Sequence, residues 1–327
     1  MDWRELSLKM VEGQRLQPEE GLAIVNTPRE KLAELLNAAN FLRESFFANH
    51  VWFCSIINAK SGACPEDCKF CAQAAHYHTA APVHPLKSKA EIIEAATLAH
   101  AARATEFCIV TSGSGPRPGA EFDAICEATS QLRDRGWMKR CCSLGALSEE
   151  QARQLKAAGL QRANHNVETA RSHFPNICST HDWADRVKTI KNLKAAGIEV
   201  CSGGVIGMGE SPAQRVELAL ELRDLAVDSI PLNFINPIPG TPFSAGHAPS
   251  PIECLKIIAL FRFANPQAEL RVCGGRELNL REQQRLMFRA GANGAMIGDY
   301  LTTKGRPPQE DLAMLEELQL QIAKPSV

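Results

Sequence analysis

Short apolar segments alternate with longer amphipathic segments along most of the chain. The longer segments have helical spacing; residues 88–104, for example, place Ser88 at an N-cap position and repeat apolar residues every three or four positions. The short segments are apolar or β-branched and predict buried strands. The eight predicted strands are residues 53–58, 107–112, 140–145, 162–167, 199–208, 229–235, 270–275 and 294–299.

This alternation predicts an α/β protein built as a (β/α)8 barrel of the TIM type. We expect residues 1–50 to form a helical N-terminal extension, and residues 51–327 to form the barrel with a C-terminal helical tail. A doubly wound open sheet is the alternative fold, but no glycine-rich dinucleotide-binding sequence follows the first predicted strand. Because the active sites of such barrels lie at the carboxyl ends of the strands, unusual side chains at or beside the predicted strands are the candidates for chemistry.

The composition does not favour a nucleic-acid or membrane surface. The 327 residues carry a formal net charge of −1, and 22% are charged and 45% hydrophobic, which is ordinary for a globular protein. No apolar run of about 18 residues predicts a membrane span, and the start MDWRELSLKMVEGQRL lacks the apolar core of a secretory signal. We therefore expect a cytoplasmic protein, in which closely spaced cysteines are metal ligands or catalytic groups rather than disulfides. The dispersed residues Cys54, Cys126, Cys178 and Cys254 are expected to be ordinary core or surface residues.

Three cysteines lie within eight residues, in the segment INAKSGACPEDCKFCAQAAHYHT. Cys64, Cys68 and Cys71 have the spacing Cys-x3-Cys-x2-Cys, which is tight enough to hold a cuboidal cluster of iron and sulfide. A 4Fe–4S cube has four irons, so three thiolates leave one iron open to bind a substrate through an amine and a carboxylate. The alternative is a structural zinc site, whose fourth ligand would be Cys54, His76 or His78.

A second set of cysteines is dispersed over three predicted strands and consists of Cys108, Cys141 and Cys201. Each of them alone is best explained as a buried core cysteine, but three on the strands of one barrel could face a common interior point. Cys142 would point to the opposite face of its strand from Cys141. From the residues alone, Arg271 is expected to be a buried charge paired with an acidic neighbour, and Cys273 on the same face stays open as a spare ligand.

The spacing of the clustered cysteines, with Phe70 just before the last of them, resembles the signature of the radical S-adenosylmethionine enzymes. The wider segment NAKSGACPEDCKFCAQ resembles the biotin synthase family within that superfamily. The resemblance extends from about residue 50 to residue 305, through FCIVTSG, CCSLGALS, NHNVET, CSGGVIGMGE, IPLNFINPIPGTP, RVCGGRELNL and GDYLTT. Each segment is weak evidence alone, but together and in this order they are highly specific.

The resemblance implies two clusters and one organic cofactor. A 4Fe–4S cluster would be held by Cys64, Cys68 and Cys71, and its fourth iron would bind S-adenosylmethionine, which one electron cleaves to methionine and a 5′-deoxyadenosyl radical. A 2Fe–2S cluster would be held by Cys108, Cys141, Cys201 and Arg271, where alignment on LGALS selects Cys141 over Cys142. The resemblance also implies a sulfurtransferase that carries out the last step of biotin biosynthesis. In that reaction the radical would remove hydrogen from dethiobiotin, and the 2Fe–2S cluster would supply the sulfur of biotin.

The resemblance also assigns contacts to the cofactor and the substrate. Phe70, Ser112, Gly113, Asn166, Glu168, Arg186 and Val205 are the implied cofactor-binding residues. Asn166 and Glu168 would meet the ribose, Arg186 the methionine carboxylate, and Asn166 with Asn233 the ureido ring of dethiobiotin. Many family members have aspartate where this chain has Glu168. Simpler explanations stay open: residues 111–116 could be an ordinary βα turn, Arg186 a solvated helix charge, and Val205 and Ile206 core residues. Thr302 and Thr303 could bind a carboxylate tail or could cap a helix.

The partners implied by the resemblance are the small molecule dethiobiotin, an electron donor of the flavoprotein or ferredoxin type, the iron–sulfur assembly machinery and a second copy of the chain in a homodimer. No nucleic-acid or membrane partner is expected. Two rival hypotheses remain: a radical S-adenosylmethionine enzyme with another substrate, such as a maturase, and a non-catalytic zinc or iron–sulfur protein. The set Cys108, Cys141, Cys201 and Arg271 argues against the first rival.

Overall fold

A closed barrel of parallel strands forms the centre of the computed structural model, which describes residues 1–244 and 248–324. The strands are β1 His50–Lys60, β2 Glu106–Thr111, β3 Lys139–Ser143, β4 Arg162–Asn164, β5 Glu199–Cys201, β6 Gly204–Ile206, β7 Ser229–Phe234, β8 Glu269–Val272, β9 Gly294–Met296 and β10 Gln321–Ile322. The order β1-β2-β3-β4-β5-β7-β8-β9 closes where β9 pairs with β1, and β6 pairs with β7 beyond β5. The predicted eight-position barrel is therefore confirmed, and the open sheet is excluded.

The helices mostly follow the strands and cover the outside of the barrel. They are α1 Trp3–Val11, α2 Pro18–Val25, α3 Leu32–Phe47, α4 Lys89–Ala101, α5 Ala120–Arg135, α6 Glu149–Ala157, α7 Trp183–Ala195, α8 Pro212–Asp224, α9 Pro251–Ala264, α10 Arg276–Leu280, α11 Leu286–Arg289 and α12 Pro308–Glu317. Among the helices that follow barrel strands, α4, α6, α7, α8 and α9 begin with a reciprocal capping box, at Ser88, Ser148, Asp182, Ser211 and Ser250. These caps fix where each helix begins, and so the length of the loop that precedes it at the carboxyl end of the barrel.

The predicted fifth strand is not continuous. It divides into β5 and β6 at Gly203 and Gly204, where the backbone lies very close to two neighbouring chain segments. A Cβ atom on Gly203 would lie 2.2 Å from the Pro231 oxygen, and one on Gly204 would lie 2.3 Å from the Glu168 oxygen, so only glycine fits there. At the break, the Gly203 N–H donates to the side-chain oxygen of Asn166 (3.2 Å) rather than to a strand partner. The interruption thus leaves a backbone N–H group free to hold the side chain of Asn166 inside the barrel.

The segments before and after the barrel pack on its outer layer. Helix α3 packs on α1 and α9, and α2 packs on α8 and α9, with Leu35 and Leu42 of α3 fully buried. After α12, the short strand β10 pairs with His50 and Val51 at the start of β1. Among the described residues, none of the helices is long and apolar enough to cross a membrane.

Candidate active site

The loop that follows β1 carries Cys64, Cys68 and Cys71 and folds back on itself. The Cys64 N–H donates to the Gln73 carbonyl (3.1 Å), and the Ala75 N–H donates to the Cys64 carbonyl (2.8 Å). A tight turn joins the other two cysteines, since the Cys71 N–H donates to the Cys68 carbonyl (2.9 Å). These bonds gather three thiols that the sequence spaces over eight residues into one folded loop.

Burial favours the neutral form of two of the loop thiols, those of Cys68 and Cys71. Burial raises the pKa of Cys71 to about 11, against the opposing effect of the backbone N–H groups of Gln73 and Ala74. Burial also raises the pKa of Cys68 well above its ordinary value, and Arg186 acts in the opposite direction. Binding of a metal cluster would therefore release protons from both residues.

Within the described part of the chain, the three loop thiols are not grouped as ligands of a single zinc ion would be. Two thiolates on one tetrahedral zinc lie about 3.8 Å apart. Among the described residues, one group of three potential ligands has its ligand atoms within 4.8 Å of one another, and that group is not Cys64, Cys68 and Cys71. The alternative zinc ligands do not complete such a group either: Cys54 lies on β1 inside the barrel, and His76 and His78 are exposed on the loop.

The barrel encloses a cavity of about 260 Å³ whose wall carries five thiols, those of Cys54, Cys108, Cys141, Cys201 and Cys273. Cys108 and Cys141 are opposite each other on β2 and β3, and their thiols are within hydrogen-bond contact. Burial raises the pKa of Cys141 and of Cys201. The structure thus brings together the three cysteines that the sequence places on separate strands, while Cys142 packs into the outer core.

Arg271 lies in a buried layer of charges next to these thiols. Its Nη1 and Nη2 atoms donate to the two carboxylate oxygens of Glu106 (2.6 and 3.0 Å), and Nη2 also pairs with Glu269. Arg162 donates to the same two carboxylates (2.7 and 2.8 Å). Despite burial, these carboxylates raise the pKa of Arg271, so the guanidinium is charged and has no lone pair to offer. The simpler expectation, a buried charge paired with acidic neighbours, is what the structure shows; ligation by Arg271 would require an ion-pair bond to open.

A chain of polar side chains extends from the cavity toward the cysteine loop. Asn164 Nδ2 donates to Asn166 Oδ1 (3.2 Å), and Asn166 Nδ2 donates to Glu168 (3.4 Å). Arg186, on α7, donates from Nη1 to the Asn166 carbonyl (3.1 Å) and lies 3.7 Å from the Glu168 carboxylate. Arg186 is therefore not a solvated helix charge. Glu168 and Arg186 are also close enough to Cys68 to act in opposite directions on the pKa of its thiol.

Asn233, on β7, lines the same cavity. Its Oδ1 accepts from the Gly274 N–H (2.9 Å), and its Nδ2 makes only long contacts, of 3.3 and 3.4 Å, with backbone oxygens. Thr302 lines the cavity as well, whereas the Thr303 carbonyl accepts from the Tyr300 N–H. Two amide side chains, Asn166 and Asn233, therefore face one enclosed space.

The remaining predicted contacts surround the cysteine loop. The Ser112 hydroxyl donates to the Gly62 carbonyl (2.7 Å), which ties the end of β2 to the loop, and Gly113 lines a second, more open cavity of about 580 Å³ together with Arg186. Phe70 and Val205 pack against an apolar cluster that includes Cys68. Ile206 instead is fully buried in the main core, so the structure favours core packing for that residue.

Comparison with known proteins gives the same assignment over almost the whole chain. The pattern of the Radical SAM superfamily matches residues 59–222, and that of the Biotin and Thiamin Synthesis associated domain matches residues 231–321. Biotin synthases from Geobacter metallireducens and Geobacter sulfurreducens are 47% and 48% identical to the chain over 97% of its length and 96% of theirs. The chain belongs to the biotin synthase family.

Solved structures with the same fold are much less similar in sequence. Methylornithine synthase superposes with a TM-score of 0.85 at 19% identity, over 97% of both chains. HydG, a maturase of the [FeFe]-hydrogenase, superposes with a TM-score of 0.83 at 16% identity, over 99% of this chain and 76% of its own. These two structures support the barrel fold alone.

The cofactors of a biotin synthase are a 4Fe–4S cluster with S-adenosylmethionine and a second, 2Fe–2S cluster. The donor sets present fit both clusters. Soft thiolates suit iron and sulfide, and the described residues offer one loop with three cysteines and one enclosed cavity with five. Both terminal nitrogens of Arg271 are engaged with carboxylates, and its role as the fourth ligand stays a prediction.

Sequence reasoning missed several residues of this biotin synthase site. Cys54 was expected to be a core or surface residue, yet it lines the cavity, as does Tyr300, whose hydroxyl donates to Glu277 (2.8 Å). Cys178 was likewise expected to be an ordinary core or surface residue, yet its Sγ lies 3.9 Å from the Sγ of Cys68. The signal for Cys178 was available in the sequence as the spacing Cys178-x2-His181 in the loop before α7.

Proposed function

We propose that the chain inserts sulfur into dethiobiotin in an S-adenosylmethionine-dependent reaction that yields biotin. The observation that carries this proposal is the presence of two separate thiol sets on one barrel: Cys64, Cys68 and Cys71 on the loop after β1, and Cys108, Cys141 and Cys201 around the enclosed cavity. An enzyme that generated a radical without donating sulfur would need only the loop set. The similarity to biotin synthases over the full chain supports the same substrate.

The loop and the polar chain beside it would hold the cofactor. When bound, the 4Fe–4S cluster and S-adenosylmethionine supply a carbon-centred radical, and the 2Fe–2S cluster supplies sulfur. Arg186 is placed to pair with the methionine carboxylate, because Glu168 lies 3.7 Å away and leaves its guanidinium incompletely neutralised. The Glu168 carboxylate and the Asn166 amide can accept and donate hydrogen bonds to a ribose diol. Phe70 and Val205 exclude water on the apolar side.

Ser112 and Gly113 complete the cofactor site at the end of β2. The Ser112 hydroxyl is used to anchor the cysteine loop through Gly62, so its role is to position the loop. Gly113 adopts a φ of 119°, which a side chain would strain, and it lines the open cavity beside Arg186. A backbone without a side chain allows an amine group to approach closely there.

The cavity would hold dethiobiotin by its ureido ring. That ring offers two N–H donors and one carbonyl acceptor, and a pair of asparagine amides can satisfy both kinds of group. Asn233 is suited to donate from Nδ2, because Oδ1 is fixed by the Gly274 N–H and Nδ2 has only long contacts. Asn166 is fixed through Oδ1 by the Gly203 N–H. The position inside the barrel, among buried thiols, limits the access of solvent to a reactive carbon while sulfur is transferred.

Three cavity thiols, those of Cys108, Cys141 and Cys201, are proposed to hold the sulfur-donating cluster. Arg271 was implied as its fourth ligand, and in that role it would first have to give up a bond to Glu106. The layer of Glu106, Arg162, Glu269 and Arg271 instead supports a positioning role, because it forms a rigid wall beside the thiols.

The proposed partners are an electron donor of the flavoprotein or ferredoxin type, the iron–sulfur assembly machinery that would rebuild a consumed cluster, and a second copy of the chain in a homodimer. The substrate itself is a small molecule, in agreement with the family.

Anaerobic reconstitution tests the proposed function. The full chain, reconstituted with iron and sulfide and supplied with S-adenosylmethionine, dethiobiotin and a reducing system, should form biotin. Cys126→Ala, on α5 away from both thiol sets, should form as much. Formation of 5′-deoxyadenosine without biotin from the reconstituted wild type would show that the substrate is a different one.

A further inference from the structure

A compact group of metal-ligand atoms surrounds Cys178, in the loop between β4 and α7. Cys178 Sγ lies 3.9 Å from Cys68 Sγ, 3.4 Å from His181 Nδ1 and 3.2 Å from Asp67 Oδ1. The ligand atoms of Cys68, Cys178 and His181 all lie within 4.8 Å of one another. Cys68 and Cys178 are buried, at 8% and 4% exposure, and His181 is half-buried. We call Asp67, Cys68, Cys178 and His181 the Cys178 group.

Three distances from Cys178 Sγ, to Cys68, His181 and Asp67, are close to the edges of a tetrahedron around one zinc ion. With Zn–S of about 2.3 Å and Zn–N of about 2.05 Å, tetrahedral geometry puts two sulfurs about 3.8 Å apart, and a sulfur and a nitrogen about 3.6 Å apart. A sulfur and a carboxylate oxygen on the same ion would be about 3.6 Å apart. The observed distances of 3.9, 3.4 and 3.2 Å differ from these by a few tenths of an ångström. Side-chain rotations alone can supply such changes.

Two loops hold the group in place from both sides. The Ser179 and Thr180 N–H groups donate to Asp67 Oδ1 (2.9 and 3.2 Å), and the Lys69 N–H donates to the Ile177 carbonyl (2.9 Å). The ring of Phe174 packs edge-on against His181, with centroids 5.6 Å apart. The cysteine loop and the loop before α7 are thus fastened together around the thiols, so the ligands are arranged before any ion binds.

We propose that the Cys178 group is a binding site for a single zinc-like divalent ion, and that this site competes with the cysteine-loop cluster for Cys68. Two thiolates and an imidazole are three ligands that zinc prefers in tetrahedral sites, and Asp67 Oδ1, 3.2 Å from Cys178 Sγ, is the nearby carboxylate that could supply the fourth. Cys68 cannot serve both metals, so occupation by zinc removes one ligand from the loop. The site goes beyond the proposed function, since it needs neither the substrate nor the cofactor.

Zinc in this site would also reach Arg186. His181 Nε2 accepts from Arg186 Nε (3.1 Å), and Nδ1 faces Glu66 (2.8 Å), an arrangement in which the ring proton is on Nδ1. Coordination through Nδ1 moves the ring proton to Nε2 and breaks the bond from Arg186. Metal binding at Cys178 would therefore loosen the side chain that we propose for the methionine carboxylate.

Cobalt(II), a spectroscopic substitute for zinc, tests the site in a chain that cannot assemble the loop cluster. The background is the full chain with Cys64→Ala and Cys71→Ala, which leaves the Cys178 group intact. We expect one equivalent of Co²⁺ to give thiolate charge-transfer absorption and the intense visible bands of tetrahedral coordination. Adding Cys178→Ser to this background should abolish these bands, and adding His181→Ala should weaken them strongly.

The control in the same background is Cys126→Ser, which changes a cysteine far from the group and should leave the bands unchanged. Competition by Zn²⁺ against a chromogenic chelator should give an affinity at least 100-fold lower for the Cys178→Ser variant. Identical spectra and zinc affinities with and without Cys178 would overturn the proposal. Because no biotin or radical chemistry is measured, this result is independent of whether the proposed function holds.

Discussion

The buried charge layer beside the cavity thiols gives a quantitative test of the structure. Glu106, at 1% exposure, lies two residues before Cys108 on β2 and accepts three hydrogen bonds from two guanidinium groups. Burial alone would raise the pKa of Glu106, but Arg271 and Arg162 outweigh it and hold that pKa below its ordinary value. The perturbation is Glu106→Gln, which keeps the shape and removes the charge.

The expected cost follows from what the substitution breaks. The substitution removes one negative charge between two arginines. It also turns the NH₂ group of the new amide toward a guanidinium donor, so at least one charge-assisted hydrogen bond is lost. Removing one partner of a buried ion pair costs about 3–5 kcal/mol. Losing one or two hydrogen bonds to charged groups, at about 1.5–3 kcal/mol each, leads to the same range. We expect Glu106→Gln to lower the free energy of unfolding by about 3–5 kcal/mol.

Urea denaturation followed by circular dichroism measures this change. The control is Glu121→Gln, whose carboxylate pairs with Lys60 at 2.8 Å but is 52% exposed, and which should cost less than about 1 kcal/mol. The depressed pKa of Glu106 means that its contribution is present above its unfolded pKa, near 4.5, and is lost as the pH falls through the lower folded value. The difference between variant and wild type should therefore shrink in acid. If Glu106→Gln lowered the free energy of unfolding by less than about 1 kcal/mol at neutral pH, the proposed ion pairs of Glu106 with Arg162 and Arg271 would be refuted.

Three further predictions concern the cavity, the strand break and a half-buried carboxyl group. Cys141→Ala should keep 5′-deoxyadenosine formation but yield no biotin, and normal biotin yield would show that the sulfur comes from elsewhere. Gly204→Ala places a Cβ 2.3 Å from the Glu168 oxygen and should cost about 1–3 kcal/mol in urea denaturation; an unchanged midpoint would disprove that contact. Burial raises the pKa of Glu221 to about 7, so stability should fall as the pH rises from about 4.5 to 7. Glu221→Gln should therefore raise the free energy of unfolding by about 1–2 kcal/mol at pH 8 and leave it unchanged below pH 4.5. Stability–pH profiles that run parallel for the variant and the wild type would contradict this.

The strands and the barrel were predictable because their signals are local. Each apolar segment between helix caps corresponds to a barrel strand, and Ser88 and Ser148 cap helices as their sequences indicate. The break between β5 and β6 was not predictable, since it depends on how closely Gly203 and Gly204 approach Pro231 and Glu168. Those contacts join residues about 30 positions apart, and no pattern within one segment reports them.

The site was predictable where a motif or a strand face defined it. Three cysteines on separate strands do face one cavity, and the alternation that separated Cys141 from Cys142 is correct. Arg271 is a less clear case: the sequence alone favours the ion pair that the structure shows, whereas its role as a metal ligand, implied by the family resemblance, stays a prediction. For Cys178, the spacing to His181 is visible in the sequence, but the contact with Cys68, 110 residues away, arises only when the chain folds.

The central claim is that Cys64, Cys68 and Cys71 hold a cluster with one iron free for S-adenosylmethionine. The most direct measurement is anaerobic formation of 5′-deoxyadenosine and methionine by the reconstituted chain, compared between wild type, Cys68→Ala and Cys126→Ala. We predict that wild type and Cys126→Ala cleave the cofactor equally and that Cys68→Ala does not cleave it. Wild-type cleavage rates in Cys68→Ala would contradict the assignment of the loop.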